Sequence, residues 1–197
     1  WEHWATQGPQ YYVMAQLLWN PHADAEAILT DYYKRGFGPA AGKVESYFDT
    51  LEEARMDYVE KFQYAGGIAN LPALYSDDLL ARADALLRDA EADVADGAEV
   101  YQQRVAFVRA GLAFTRVLID TIRAMENYWD QPDEAVADKV RLQWQTTERI
   151  ASENPYAINW GPLRPGTPRM LDLHPDHPNP KRKTKARPTK PNDLDQN

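Results

Sequence analysis

The chain has 197 residues, of which 44% are hydrophobic, 26% are charged and 11% are aromatic. These fractions are those of a globular protein, and they exclude collagen-like and wholly disordered chains. The absence of cysteine excludes structural disulfides, thiolate metal sites and cysteine nucleophiles. The net charge of −8 is uneven, because positions 181–197 carry six basic and two acidic side chains, which leaves −12 on positions 1–180. An acidic body repels nucleic acid and anionic lipid, and no apolar run approaches the roughly 20 residues of a membrane span. We therefore expect no nucleic acid and no membrane as partners.

Apolar side chains recur at the three- and four-residue spacing of helices in six segments of the chain. Turn-forming residues separate these segments, and no segment shows the alternation typical of a strand. In chain order, we predict helices from Gly8-Pro9 to a stop at Asn20-Pro21, over about Asp24–Lys34, over Pro39–Phe62, from Ser76 to a stop at Asp96-Gly97, over about Ala98–Tyr128 and over about Asp133–Ser152. The sequence therefore predicts an all-α fold, an irregular antiparallel bundle of about six helices.

Local residue types make sharper predictions at several positions. Pro9 suits the first turn of the first helix, and Gly36 is expected to end the second. Ser76 is expected to cap a helix N-terminus, after a loop indicated by Gly66-Gly67, Asn70 and Pro72. Gly111, inside the longest helix, either permits close helix approach or is simply tolerated. The first helix is expected to have an apolar face formed by Val13, Met14, Leu17 and Leu18.

Three adjacent aromatic pairs occur in the predicted helices, at Tyr11-Tyr12, Tyr32-Tyr33 and Tyr47-Phe48. One interpretation is that they line an aromatic cleft for carbohydrate. A helix cannot turn two adjacent side chains the same way, so the other interpretation makes one member of each pair core and the other a boundary residue.

Proline dominates the end of the chain. From Pro155 onward, nine of 43 residues are proline, a density that excludes regular helix and sheet. Residues 156–173 are still apolar enough to pack on the body, whereas residues 174–197 have the composition of a disordered, solvated basic tail. We therefore predict a helical domain over 1–155, an extended segment over 156–173 and a disordered basic tail over 174–197.

Unusual side chains are concentrated at the beginning of the chain, which includes Trp1, Glu2, His3, Trp4 and Gln7. Tryptophan faces stack on sugar rings, and a carboxylate beside a histidine can exchange protons. The alternative is an entry loop whose tryptophans cover the core. No second carboxylate at a defined distance accompanies Glu2, although a glycosidase needs a pair. We therefore assign no catalytic residue, no metal and no cofactor.

One stretch is more specific than its helical periodicity requires. It contains Trp4-Ala5-Thr6-Gln7-Gly8-Pro9, Leu17-Leu18-Trp19-Asn20-Pro21, Asp31-Tyr32-Tyr33, Phe37-Gly38-Pro39-Ala40-Ala41 and Tyr47-Phe48. This stretch, about residues 4–55, resembles the C-terminal helical region of large bacterial glycoside-hydrolase-like proteins of unknown function. Asn20 stands where that family has aspartate, and either residue can cap the following turn.

The resemblance implies that this region follows a (β/α)8 barrel similar to those of alpha-glucuronidases and beta-hexosaminidases. The helices would pack under or beside the barrel, and residues 1–7 would come from its end, near the face that carries active-site loops. The resemblance places the catalytic carboxylates upstream, outside this sequence, and favours a secreted or periplasmic location. The chain is then expected to be a piece of a longer protein.

We therefore expect an accessory helical domain that braces the upstream barrel of the same chain and has no chemistry of its own, in a glycoside-hydrolase-like parent. Through the segment from Trp1 to Gln7 it would contribute to a cleft for an oligosaccharide. Two alternatives are a stand-alone carbohydrate-binding module and a helical protein-interaction scaffold whose basic tail docks on an acidic partner. Removal of the barrel is expected to leave apolar surface exposed on the first helix.

Overall fold

The computed structural model describes residues 4–63, 70–130 and 133–159. Within those ranges the protein is helical and contains no strand, which confirms the predicted all-α class. Its helices are α1 (Trp4–Trp19), α2 (Ala25–Phe37), α3 (Ala41–Phe62), α4 (Leu71–Leu74), α5 (Asp77–Val94), α6 (Glu99–Asp130) and α7 (Glu134–Glu153), with a 3-10 turn at Gly38–Ala40. The predicted extended segment beyond Asn159 and the basic tail lie outside the described residues.

The long helix α6 connects two hydrophobic clusters, because its 32 residues extend over roughly 48 Å at 1.5 Å per residue. The N-terminal half of α6 packs with α2, α3 and α5 around Tyr47, Leu87 and Leu112. Its C-terminal half packs with α7 and the start of α1 around Met125 and Trp144. Helix α1 therefore enters the bundle through the second cluster.

Helix caps follow the local sequence. Asp24 and Asp133 accept backbone N–H groups at the starts of α2 and α7. The Ser76 hydroxyl accepts the N–H of Leu79 at 3.1 Å, which confirms the predicted cap of α5. These side chains satisfy N–H groups that have no partner within the helix.

Two predicted helix boundaries are wrong. Gly36 lies inside α2, and Gly38 ends the helix instead, with φ of 51° and its N–H donated to the Lys34 carbonyl. A side chain at Gly38 would also meet the ring of Tyr101 at 2.7 Å. Helix α1 begins at Trp4 rather than at Gly8, so Pro9 lies inside the helix. The loop predicted before Ser76 also contains the short helix α4, with Pro72 in its first turn.

The early start of α1 has a tertiary cause. Ala5 is fully buried, and its N–H donates to the carbonyl of Ala157 at 3.4 Å. Gly111 of α6 lies beneath this turn, and a Cβ there would be 2.9 Å from the Ala5 Cβ. Of the two interpretations of Gly111, close helix approach is therefore the one that the structure supports.

Candidate binding groove and exposed helix face

A groove with a volume of about 340 Å³ lies between α1, α2 and α6. Tyr12 of α1 lines it, with Asp31, Tyr32 and Arg35 of α2 and with Arg104 and Phe107 of α6. Three helices therefore contribute side chains to one concave surface. Its volume lies at the small end of the range for ligand sites in proteins.

Aromatic rings make up much of the groove. The ring centroids of Tyr12 and Tyr32 are 5.4 Å apart, and those of Tyr32 and Phe37 are 5.7 Å apart. Gly8 makes room for this arrangement, because a Cβ at that position would collide with the Tyr32 hydroxyl. The glycine in α1 thus allows α2 to bring its tyrosine against the first helix.

Charged groups surround these rings. Asp31 accepts a hydrogen bond from the Tyr12 hydroxyl at 3.0 Å and forms an ion pair with Arg35 Nε at 2.6 Å. Arg104 Nη1 donates to the backbone carbonyls of Arg35 and Gly36, each at 3.0 Å. Two guanidinium groups and one carboxylate therefore leave the groove with a net positive charge, although the body of the chain is acidic.

The two tyrosine hydroxyl groups that line the groove both have raised pKa values. Burial raises the pKa of Tyr32 to about 12, and the hydrogen bond to Asp31 is the main cause that raises the pKa of Tyr12. Both phenols are therefore neutral near pH 7. Within the ranges that the structure describes, no group of histidine, aspartate and glutamate side chains could hold a metal ion.

Helix α1 also carries an apolar stripe, which we define as Tyr11, Met14, Ala15, Leu18 and Trp19. These positions follow the spacing of one helix face. Leu18 is 80% exposed and Trp19 is 90% exposed, and Met14 is also exposed. The predicted apolar face of α1 is therefore divided, because Met14 and Leu18 are exposed whereas Val13 and Leu17 are half-buried.

The opposite side of α1 contacts the bundle, with Ala5 and Gly8 buried and Tyr12 half-buried. The helix is thus apolar over most of its circumference, a pattern typical of a helix surrounded by protein. No helix in the described ranges is long and apolar enough to cross a membrane. In the part of the chain that the structure describes, the end of the stripe at Leu18 and Trp19 is uncovered.

Most of the site residues predicted from the sequence lie outside the part of the chain that the structure describes. Trp1, Glu2 and His3 lie outside the described residues, and of Trp4 the structure describes only its place at the start of α1. Gln7 is half-buried, and its Oε1 accepts the Tyr11 hydroxyl at 2.5 Å. Gln7 is therefore engaged by the neighbouring turn of its own helix, and its part in a sugar cleft stays a prediction.

Two of the three aromatic pairs have one buried and one boundary member, as the core interpretation predicts. Tyr33 and Tyr47 are buried, whereas their neighbours Tyr32 and Phe48 are half-buried. In the pair at 11–12 neither ring is fully buried, and the two belong to different surfaces, the stripe and the groove. Sequence reasoning missed Arg104, since its contact with α2 joins residues 69 positions apart.

Comparison with known proteins gives one partial match. The family described as "Domain of unknown function (DUF4838)" matches residues 1–49, about a quarter of the chain. No curated protein and no solved structure matches the chain. The matched stretch covers α1, α2 and the beginning of α3, and it carries the apolar stripe and five of the seven groove side chains named above. This part of the chain is therefore similar to a domain of unknown function.

Proposed function

We propose that the chain is an accessory helical domain of a glycoside-hydrolase-like, carbohydrate-active protein. It has no chemistry of its own, and it braces a catalytic barrel that precedes it in the same chain. The resemblance of residues 4–55 to the helical region of such bacterial proteins supports the class of the parent. The same resemblance supports a secreted or periplasmic location and a contribution of residues 1–7 to the sugar cleft.

The apolar stripe of α1 is the observation that carries the proposal. With about 200 Å² for Trp19 and somewhat less for Leu18 and Met14, these side chains expose on the order of 400 Å². Covering that area would contribute on the order of 10 kcal/mol at ~25 cal/mol per Å². This gain is comparable with the whole stability of a domain before the costs of association and side-chain ordering are subtracted, so the stripe favours contact with a larger body.

The position of the stripe favours the preceding part of the same chain as its partner. It lies on the first helix, and the N-terminal turn of that helix is fixed in the bundle by Ala5 and Gly111. A domain that came before α1 would join the chain within the length of this helix, about 24 Å at 1.5 Å per residue, so the stripe lies within its reach. Such contacts within one chain brace the two domains against each other.

The test compares this chain with the longer natural protein. We expect Trp19 to be quenched by acrylamide in the 197-residue chain and protected in the longer protein, with Trp19→Phe used to isolate its signal. We expect Leu18→Ser to lower the melting temperature of the longer protein by several degrees and to leave the melting of the short chain unchanged. Leu142→Ser is the matched control, because Leu142 is a single exposed leucine on α7. Equal quenching in both proteins, or equal effects of the two substitutions, would contradict the proposal.

The alternative of a carbohydrate-binding module is favoured by a separate observation, the aromatic groove between α1, α2 and α6. The two functions are compatible, since the groove and the stripe lie on different surfaces of α1. Titration of the whole chain with neutral and acidic monosaccharides, followed by heteronuclear NMR, tests this second function. Shift changes that cluster at Tyr12 and Phe107 are expected for binding in the groove.

A further inference from the structure

We infer that the groove between α1, α2 and α6 binds a saccharide residue that carries an acidic group. The acidic group is a carboxylate, as in a uronic acid, or a sulfate or phosphate ester. The inference rests on the proposed function for the carbohydrate class of its ligand. It does not depend on what covers the stripe of α1.

Size and aromatic lining favour a single ring as the occupant. The volume of about 340 Å³ suits a small ligand rather than a long chain. Tyr12 of α1, Tyr32 of α2 and Phe107 of α6 all line the groove. The C–H faces of a pyranose are apolar and pack on aromatic rings, while its hydroxyl groups point sideways to polar partners.

The polar partners for those hydroxyl groups are present. Asp31 uses one oxygen for the Tyr12 hydroxyl and the other for Arg35. A carboxylate has about four acceptor sites, so each oxygen can still accept a hydrogen bond from a sugar hydroxyl. The existing bonds hold the carboxylate in place, which lowers the entropy cost of binding.

Charge selects an acidic saccharide over a neutral one. Arg104 donates from Nη1 to two carbonyls at the end of α2, and among the described residues it forms no ion pair. These two bonds orient the guanidinium and leave donors on Nη2 and Nε for a ligand. A guanidinium presents paired N–H groups that match the oxygens of carboxylate, sulfate and phosphate.

The surroundings make this local charge unusual. Positions 1–180 carry a net charge of −12, yet the groove contains Arg35 and Arg104 against the single carboxylate of Asp31. An acidic saccharide therefore finds a favourable potential at the groove and an unfavourable one over most of the body. This complementarity favours an anionic sugar ring as the occupant of the groove.

The first experiment varies the ligand and leaves the protein unchanged. The full chain is titrated with glucuronic acid, glucose 6-sulfate, glucose 6-phosphate and glucose, and binding is followed by calorimetry and by NMR. We expect at least one acidic sugar to bind fivefold or more tightly than glucose. We expect that advantage to fall in 1 M salt, where charges are screened within about 3 Å. The order of the three acidic sugars shows which acidic group the site prefers.

The second experiment varies the protein. Arg104→Gln keeps a donor for the α2 carbonyls but removes the charge, and it is expected to reduce the preference for the acidic sugar at least fivefold. Arg149→Gln is the matched control, because Arg149 lies on α7 in an exposed ion pair with Glu153. Circular dichroism establishes that each variant is folded, and the salt dependence provides a second readout if Arg104→Gln is not.

The outcomes separate this inference from the proposed function. Equal affinity for glucose and the acidic sugars overturns the charge selection and leaves the carbohydrate class standing. If no sugar binds at tens of millimolar, the inference is overturned. The proposed bracing of a preceding domain is tested separately, by the protection of Trp19 from acrylamide in the longer protein. Loss of preference in both Arg104→Gln and Arg149→Gln would mean that general charge, and not the groove, is responsible.

Discussion

Replacement of Gly111 by alanine tests the contact that holds α1 on the bundle. The added Cβ would lie 2.9 Å from the Ala5 Cβ and 3.2 Å from the Thr6 Cγ2. The Ala5 Cβ cannot move away easily, since it is fixed to the backbone, and the Ala5 carbonyl carbon would also lie 3.3 Å from the added Cβ. Helices α1 and α6 must therefore separate by several tenths of an ångström.

Two opposing effects set the size of the change. Alanine favours the helix by about 1 kcal/mol over glycine, whereas overpacking of a close contact costs about 1–3 kcal/mol. The Ala5 Cβ can move only together with the backbone. We therefore expect the cost of overpacking to exceed the gain in helix propensity. The difference between the two effects makes Gly111→Ala less stable than the parent chain by up to about 2 kcal/mol.

Urea unfolding followed by circular dichroism measures this difference, and Gly36→Ala is the control. A Cβ at Gly36 would meet nothing within 4 Å, so the same substitution there is expected to be neutral or to stabilise by up to about 1 kcal/mol. Ala5→Gly removes one obstructing atom, so the double variant is expected to recover much of the loss. A Gly111→Ala chain as stable as Gly36→Ala would refute the close α1–α6 approach.

Three further predictions concern other parts of the fold. Ser76→Ala removes the cap of α5 and is expected to lower the free energy of unfolding by about 1 kcal/mol in urea titrations, and an unchanged midpoint would contradict this role. Arg109, which is 23% exposed, pairs with Asp84 at 2.6 Å and Glu91 at 2.8 Å, so Arg109→Met is expected to cost about 1–2 kcal/mol in the same titration. A loss of unfolding free energy below about 0.5 kcal/mol would show that these ion pairs contribute no more than ordinary surface pairs. Burial raises the pKa of Tyr32 to about 12 in the folded chain, so its contribution to stability is present below pH 10 and is lost as pH rises from 10 to 12. Tyr32→Phe is expected to flatten this alkaline loss, and an equally steep decline would show that other groups cause it.

The sequence predicts most of the fold because helical periodicity and caps are local signals. Helix α3 ends at Phe62 as predicted, and the ends of α5, α6 and α7 differ from the predictions by one or two residues. The Ser76 cap depends on a hydroxyl and an N–H three residues apart. Such features need no knowledge of the rest of the chain.

The boundaries that differ from the predictions depend on distant residues. Gly36 and Gly38 are equally able to end a helix, and the ring of Tyr101, from the beginning of α6, packs where a side chain at Gly38 would lie. The proline in α1 indicates a helix start, whereas the contacts of Ala5 with residues 111 and 157 extend the helix toward the N-terminus. Local residue types cannot report such contacts.

The groove is only partly predictable from the sequence for the same reason. Its tyrosines are noticeable as aromatic pairs, and the spacing of Asp31 and Arg35 is that of an ion pair within one helix. Arg104 belongs to α6, and only the packing of α6 on α2 brings it to the Gly36 carbonyl. Periodicity identifies which face of a helix is apolar, but not which distant side chain completes a site.

Helix α1 shows how sequence and structure together support a functional proposal that neither supports alone. The sequence of α1 is apolar on two faces, which predicts burial on both. In the described structure one face, with Ala5 and Gly8, is buried, whereas Leu18 and Trp19 on the other are exposed. The described residues of the bundle cover the first face only. An apolar area on the order of 400 Å² lies within the range of the largest patch on a typical monomer, and such patches are often functional. The second face therefore supports the proposal of a partner domain, and the groove beside it is where we propose that an acidic sugar is held.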